Sequence, residues 1–256
     1  LYANPNLNVA NGFSAIGDAD LEPAQTRALE FGFMQPLGTW GLIDMVVFTK
    51  DVINLIDSNT LLVYGDDYQK EGFTRFVNIG QSAIQGLEIF LEGQIGSTFS
   101  GNLAYTMMTA MGSSSYSLEG LWRNAEASTR ASELYPLSWD QRHTLVLNLE
   151  WSPMDWLSTI LTYHYNSGLP YTEDNGEYTS PNSERMDATQ KMNLRLNGSW
   201  NMSSQRDLHA FFEVTNLLDE TNVLWVDSNG YPGGVLNDPG AYDLNRRVRV
   251  GIGIDL

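Results

Sequence analysis

Hydrophobic positions alternate with polar or glycine positions without a break over the last ten residues, RVRVGIGIDL, of the closing run RRVRVGIGIDL. Successive side chains of a strand point to opposite faces. Val248, Val250, Ile252, Ile254 and Leu256 therefore share one face, and Arg247, Arg249, Gly251, Gly253 and Asp255 share the other. A soluble strand with this pattern buries its apolar face in a protein core. A transmembrane barrel strand turns that face to lipid and its polar face to a wet lumen. The apolar run also continues to the final residue, whereas the ends of soluble domains usually fray.

The same period-2 pattern predicts eight earlier strands. The first begins near Thr26, with Leu29, Phe31 and Phe33 on one face. The second runs from Trp40 to about Leu55 and carries Ile43, Met45 and Val47, and a polar stretch from Asp57 to Gly72 reads as a loop. The third spans about Arg75 to Glu92, with Leu87, Ile89 and Leu91 opposite Glu88 and Glu92. The fourth covers Phe99 to Met111. The fifth, Gln141 to Trp151, sets Leu145, Leu147, Leu149 and Trp151 against Val146, Asn148 and Glu150. The sixth runs from Trp156 to Gly168, the seventh from Ala188 to Met202 and the eighth from about Leu208 to Thr215. Residues 1–25, rich in Asn, Gly, Ala and Pro, show no period and are expected to be an external loop segment ahead of strands filling 26–256.

The connections alternate in length. Pro36–Thr39, Gly93–Thr98, Ser152–Asp155 and Ser203–Asp207 are short, and the intervening ones are long. Outer-membrane barrels join strands by short periplasmic turns and longer external loops. Trp40, Trp151, Trp156 and Trp200 cluster beside the short turns, with Phe99 in an equivalent place. Indole settles at a membrane–water boundary. The expected fold is all-β: an antiparallel, up-and-down transmembrane β-barrel wall of about nine strands. With an odd count the first and last strands both descend, and closure would pair them in parallel. Bacterial single-chain barrels are antiparallel and even-numbered, so the chain reads as the C-terminal part of a larger barrel.

Composition narrows the picture. Thirty-one acidic residues against 14 basic ones give a net charge of −17, which argues against nucleic acid as a partner. Cysteine is absent, so thiolate metal sites and cysteine nucleophiles are excluded. No apolar run reaches the roughly 18 residues of a transmembrane helix. The start, LYANP, has neither Met nor a leader, as expected of a processed chain or a fragment.

Several segments resemble the C-terminal half of TonB-dependent outer-membrane receptors. Gly17-Asp18-Ala19-Asp20-Leu21-Glu22-Pro23 is similar to the family's G-N-x-x-L-x-P-E segment, and Glu30-Phe31-Gly32-Phe33 to its E-x-G-F strand. Residues 78–88 (NIGQSAIQGLE) resemble the N-x-G-x-a-x-x-x-G-x-E strand, and Val214–Asp219 (VTNLLD) the V-x-N-L-F/L-D motif. Arg249, Gly251, Ile254 and Leu256 resemble a barrel-assembly signal, with Leu256 replacing the usual aromatic. The resemblance implies energy-coupled uptake of a siderophore, vitamin, glycan or peptide across the outer membrane. It implies a plug and a TonB-type coupling protein acting on an N-terminal part absent here, and contact with outer-membrane lipid and the barrel-assembly machinery. A passive porin and a soluble β-sandwich adhesin or glycan-binding module are the alternatives.

No catalytic constellation emerges, so neither an enzyme nor a cofactor is expected. His143, His164 and His209 fall on separate strands without metal-ligand spacing, and Glu88, Glu92 and Glu150 read as lumen-wall groups. Asp227-Ser228-Asn229-Gly230 and Asp238 lack the EF-hand spacing and its Glu, so no metal is expected. The exposed aromatic or basic candidates for ligand contact are Trp122, Arg123, Tyr135, Tyr171, Tyr178, Trp225 and Tyr231, all in predicted loops.

Overall fold

The computed structural model describes residues 15–64, 70–117, 119, 133–174, 180–203 and 206–255. Nine long strands account for most of them: β2 (Gln25–Leu37), β3 (Gly41–Tyr64), β4 (Lys70–Ile95), β5 (Phe99–Gly112), β7 (His143–Met154), β8 (Leu157–Asn166), β11 (Thr189–Ser203), β12 (Arg206–Thr215) and β13 (Arg247–Asp255). Four two-residue strands complete the set: β1 (Ala15–Ile16), β6 (Tyr135–Pro136), β9 (Pro170–Tyr171) and β10 (Glu184–Arg185). The long strands follow the order β13-β12-β11-β8-β7-β5-β4-β3-β2, so each lies beside its long-strand neighbour in sequence. The path stays open, ending on β13 and β2. Among the described residues no helix is long and apolar enough to cross a membrane.

Two departures from the expected elements stand out. The stretch Asp57–Gly72 was expected to be a loop, yet β3 continues to Tyr64 and β4 begins at Lys70. Alternation marks a strand only where its two faces meet different media, and the run DSNTLLVY (57–64) blocks its polar and apolar residues together and so carries no such mark. Residues 1–25 were expected to be an external loop segment, yet within them β1 pairs parallel to Thr74 and Arg75 of β4.

Contacts divide the chain into two units, one of Leu1–Leu29, Thr49–Gln85 and Thr109–Asp140, the other of Glu30–Phe48, Gly86–Met108 and Gln141–Leu256. In the first, the segment after β1 is fastened by side chains. The Asn78 Nδ2 amide donates to the Glu22 and Asn54 carbonyls at 2.9 and 2.8 Å, and Asn78 Oδ1 accepts from the Glu22 N–H at 2.7 Å. Around β6, Ala110, Leu137 and Asp140 are fully or almost fully buried. The Asp140 carboxylate accepts from the Ala110 N–H at 2.6 Å, and Ala110 O accepts from Leu137 N–H.

The second unit shows the two-faced wall. On one face the register aligns Leu103, Leu147, Tyr163 and Met192 across β5, β7, β8 and β11. A parallel row joins Leu149, Leu161, Leu194, Val214 and Val248 across β7 to β13. On the other face Asn102, Asn148, Thr162 and Asn193 align, with Asn148 Nδ2 donating to Asn102 Oδ1 at 2.9 Å. Val248, Val250, Ile252 and Ile254 are 56–76% exposed, so among the described residues the apolar face of β13 lies under no second sheet, unlike the inner face of a soluble sandwich. Trp40, Trp151, Trp156 and Trp200 are all exposed at the short-turn end, and Trp156 stacks on Trp200 at 5.6 Å. Among these described residues the protein is built inside out, with apolar side chains outward and polar ones facing each other, as a hydrocarbon solvent demands.

Candidate functional site: polar wall and outer loops

The polar face carries a row of charges at one level of the second unit. Glu150, Ile160, Arg195, Glu213 and Arg249 lie in register across β7, β8, β11, β12 and β13. Arg195 Nη1 donates to Glu213 Oε2 at 2.8 Å, and Arg249 Nη2 donates to Glu213 Oε1. The Arg195 guanidinium lies 4.2 Å over the Phe211 ring. Gly251 makes that stacking possible, since a Cβ there would stand 2.2 Å from Phe211 Cε1. Towards the short turns, a polar hollow of about 540 Å³ is lined by Glu92, Gln94, Asn102, Asn148 and Glu150, among others. The histidines take separate partners: Tyr105 Oη lies 2.8 Å from His143 Nδ1, and His209 Nε2 lies 2.9 Å from Asp255 Oδ2. Among the described residues no three His, Cys, Asp or Glu side chains are grouped to hold a metal ion.

At the opposite end the loops following β8 and β12 are stitched together and anchored to the strands. Asp174 N–H donates to Ser228 O at 2.7 Å. Asn216, completely buried with φ 54°, donates from Nδ2 to the Glu220 and Leu244 carbonyls and accepts the Glu220 N–H on Oδ1. Its own N–H donates to Asn193 Oδ1 at 3.0 Å. Asn222 accepts the Gln190 N–H at 2.7 Å and donates to Gln190 O at 2.8 Å, replacing one rung of the ladder at the end of β11. Lys191 Nζ lies 2.8 Å from Asp243 Oδ2. Burial pushes the Asp243 carboxyl up, but the hydrogen bonds from Lys191 and the Leu244 N–H outweigh it and hold the group below the usual aspartate value.

The expected ligand contacts fall in different surroundings. Tyr135, in the first unit, is buried and donates its hydroxyl to Glu119 Oε1 at 2.6 Å. Tyr171, Trp225 and Tyr231 belong to the second unit. Tyr171 is half-buried against Gly230, where a Cβ would stand 2.7 Å from its hydroxyl. Burial first, then the carboxylates of Glu173, Glu184 and Asp227, push its hydroxyl above the usual tyrosine value. Tyr231 is 65% exposed and Trp225 is 38% exposed. Trp122, Arg123, Tyr178 and Leu256 lie outside the described residues. The sequence reading quoted Asn78 and Asn216 as letters of the family motifs without the bonds they make, and did not single out Asn222. Their common signal was modest: an Asn side chain carries a donor and an acceptor and can imitate a peptide group, and of the three only Asn216 also takes a positive φ, 54°.

The comparisons agree with this geometry. A family model described as TonB dependent receptor-like, beta-barrel matches residues 1–217. No curated protein matches the sequence. Among solved structures, the outer-membrane transporter YddB from Escherichia coli aligns with a TM-score of 0.68 at 13% identity, over 95% of this chain and 34% of that one. The ferric enterobactin receptor PfeA from Pseudomonas aeruginosa aligns with a TM-score of 0.63 at 17% identity, over 95% and 32%. The ferric-catecholate import receptor Fiu from Escherichia coli K12 aligns with a TM-score of 0.59 at 18% identity, over 93% and 28%. The chain thus spans about a third of the length of these neighbours, which share its fold. With the family model covering most of the sequence and an open antiparallel wall that is apolar outside and polar inside, this chain belongs to the TonB-dependent receptor β-barrel family of the outer membrane.

Proposed function

We propose that this chain is the barrel wall and outer loops of a receptor that takes up a ligand across the outer membrane with energy from a TonB-type protein. The observation that carries this reading is the two-faced wall: exposed apolar rows on one side, hydrogen-bonded Asn, Thr, Arg and Glu on the other. Such a wall separates lipid from an aqueous passage. Residues 26–256 form the wall and loops, and 1–25 form an external segment. The coupling protein acts on a plug supplied by another part of the receptor, so the wall contributes passage and outer contacts rather than covalent chemistry. Arg249, Gly251, Ile254 and Leu256 serve as the assembly signal read by the barrel-insertion machinery. Ligand contact falls to loop aromatics, with Tyr171, Trp225 and Tyr231 on the loops bonded to the end of the wall. Known neighbours of this fold include receptors for ferric catecholates and ferripyoverdine, so ferric chelates are the first ligands to try.

The test is uptake by cells carrying the full receptor, measured with labelled ferric chelates, cobalamin, oligosaccharides and short peptides. One of these is expected to enter in a receptor-dependent way, and a protonophore is expected to abolish its entry. Entry unchanged by the protonophore overturns energy coupling and makes the barrel a passive pore.

A further inference from the structure

The loop after β12 ends in a feature that neither the barrel nor its lumen explains. Val235 and Leu236 are 92% and 91% exposed, more than any other large apolar side chain among the described residues. They do not belong to the lipid-facing rows, because they sit on a 3-10 turn, Gly234–Leu236, within a loop at the long-loop end. Nor is the turn loosely held. Gly234 N–H donates to Tyr231 O at 3.1 Å, Asn237 N–H to Gly234 O at 3.1 Å and Asp238 N–H to Gly233 O at 3.0 Å. Gly233, Gly234 and Asn237 adopt φ of 73°, 61° and 48°, left-handed values that suit Gly and Asn. Asp227 Oδ1 accepts from the Asn229 and Tyr231 N–H groups at 2.9 Å, and Asp238 Oδ1 from the Gly240 N–H at 2.8 Å. The backbone is fixed in advance, and among the described residues nothing covers the two aliphatic side chains.

The same turn is bracketed by charge. A Cβ on Gly234 would lie 3.6 Å from Asp227 Oδ2, and Asp238 stands next to the Asn237 that caps the turn. Neither carboxylate has a basic partner among the described residues. Residues 216–246 carry five acidic groups against Arg246 alone, and residues 167–188 carry five against Arg185 alone. Anionic lipid headgroups are repelled by such a surface, and a polar sugar gains nothing from two exposed aliphatic side chains.

We propose that Val235 and Leu236 are the anchor of a protein-docking surface, and that the partner presents an apolar pocket rimmed by Lys or Arg. Preorganised apolar anchors concentrate binding energy, and the surrounding carboxylates steer a basic partner and reject acidic ones. This goes beyond uptake and does not depend on which ligand is carried.

The test uses the full receptor in zwitterionic nanodiscs and three labelled peptides: Leu/Lys, Ser/Lys and Leu/Glu repeats of equal length. The wild type is expected to bind the Leu/Lys peptide best. Val235→Ser with Leu236→Ser is expected to weaken that binding about tenfold, the scale of a modest hot spot. Asp227→Asn with Asp238→Asn keeps the turn-capping acceptors while removing charge. It is expected to weaken binding several-fold at low salt and to flatten its salt dependence. Unchanged exchange protection of the Tyr231 and Gly240 amides shows that the loop has kept its shape. The proposal is overturned if the wild type does not distinguish the three peptides, or if both variants bind like wild type. It is also overturned if the Val235/Leu236 change alters only self-association or only nutrient uptake.

Discussion

Gly251 stands where the last strand has to accommodate the Phe211 ring, and the ring in turn carries the Arg195 guanidinium. Any side chain at Gly251 meets a ring held on its other side. Gly251→Ala is therefore expected to destabilise the folded barrel by about 1–3 kcal/mol, the usual cost of overpacking. Combined with Phe211→Ala, the cost should fall well short of the sum of the single changes, because the two positions share one space. Urea midpoints of the full receptor in detergent check both expectations. Asp243 supplies a pH dependence. Its folded value lies below the unfolded one, so its contribution is present above the ordinary aspartate range and is lost as pH falls through the depressed folded value. Exchange protection of the Leu244 amide, whose N–H donates to Asp243 Oδ1 at 2.7 Å, should therefore persist at pH 5 and decline only in stronger acid. Asp243→Asn should weaken that protection at neutral pH and remove its acid dependence. The resemblance flagged Val214–Asp219, but the work done by its Asn216 was not legible from sequence. That work needs Glu220 and Leu244 brought to one point, which only the assembled loop does.

For whole strands the sequence was most readable where two media meet. Leu145, Leu147 and Leu149 alternate with Val146, Asn148 and Glu150, and the register places the two sets on opposite faces as expected. Adjacent residues should then respond oppositely to the same change. Leu147→Arg is expected to cost about 2–4 kcal/mol if its side chain sits near the bilayer midplane, whereas Asn148→Arg, on the polar face, should cost far less. The fraction of each variant that reaches the heat-modifiable folded form is the measurement. The outer halves of β3 and β4 were illegible for the converse reason. Past the region where one face meets hydrocarbon, a strand loses its alternating signature, and residues 57–64 (DSNTLLVY) group polar and apolar positions instead of alternating them. The short turns kept their aromatic mark, so Trp156 and Trp200 were readable as residues beside those turns, and their stacking on one another was not.

At the scale of the molecule, the described sheet ends on two strands with no outer neighbour, β2 and β13. Their residues are exposed almost throughout. Unpaired edges and uncovered apolar faces drive association. The 256-residue chain produced alone is thus expected to aggregate in water and to need amphiphile for dispersion, which sedimentation with and without detergent would show. The odd number of predicted long strands already implied an open wall, and the loop chemistry did not. Val235 and Leu236 sit in a Gly/Pro/Asn-rich run whose composition says turn without saying what the turn displays. The polar-face row of Glu150, Arg195, Glu213 and Arg249 has a further electrostatic effect. Its signs alternate between neighbouring β11, β12 and β13, which are spaced about 5 Å apart. That spacing is shorter than the roughly 8 Å over which physiological salt screens a charge. A dissolved ion close to this stretch therefore feels opposing pulls that largely cancel, so the row by itself gives the polar face little preference between cations and anions.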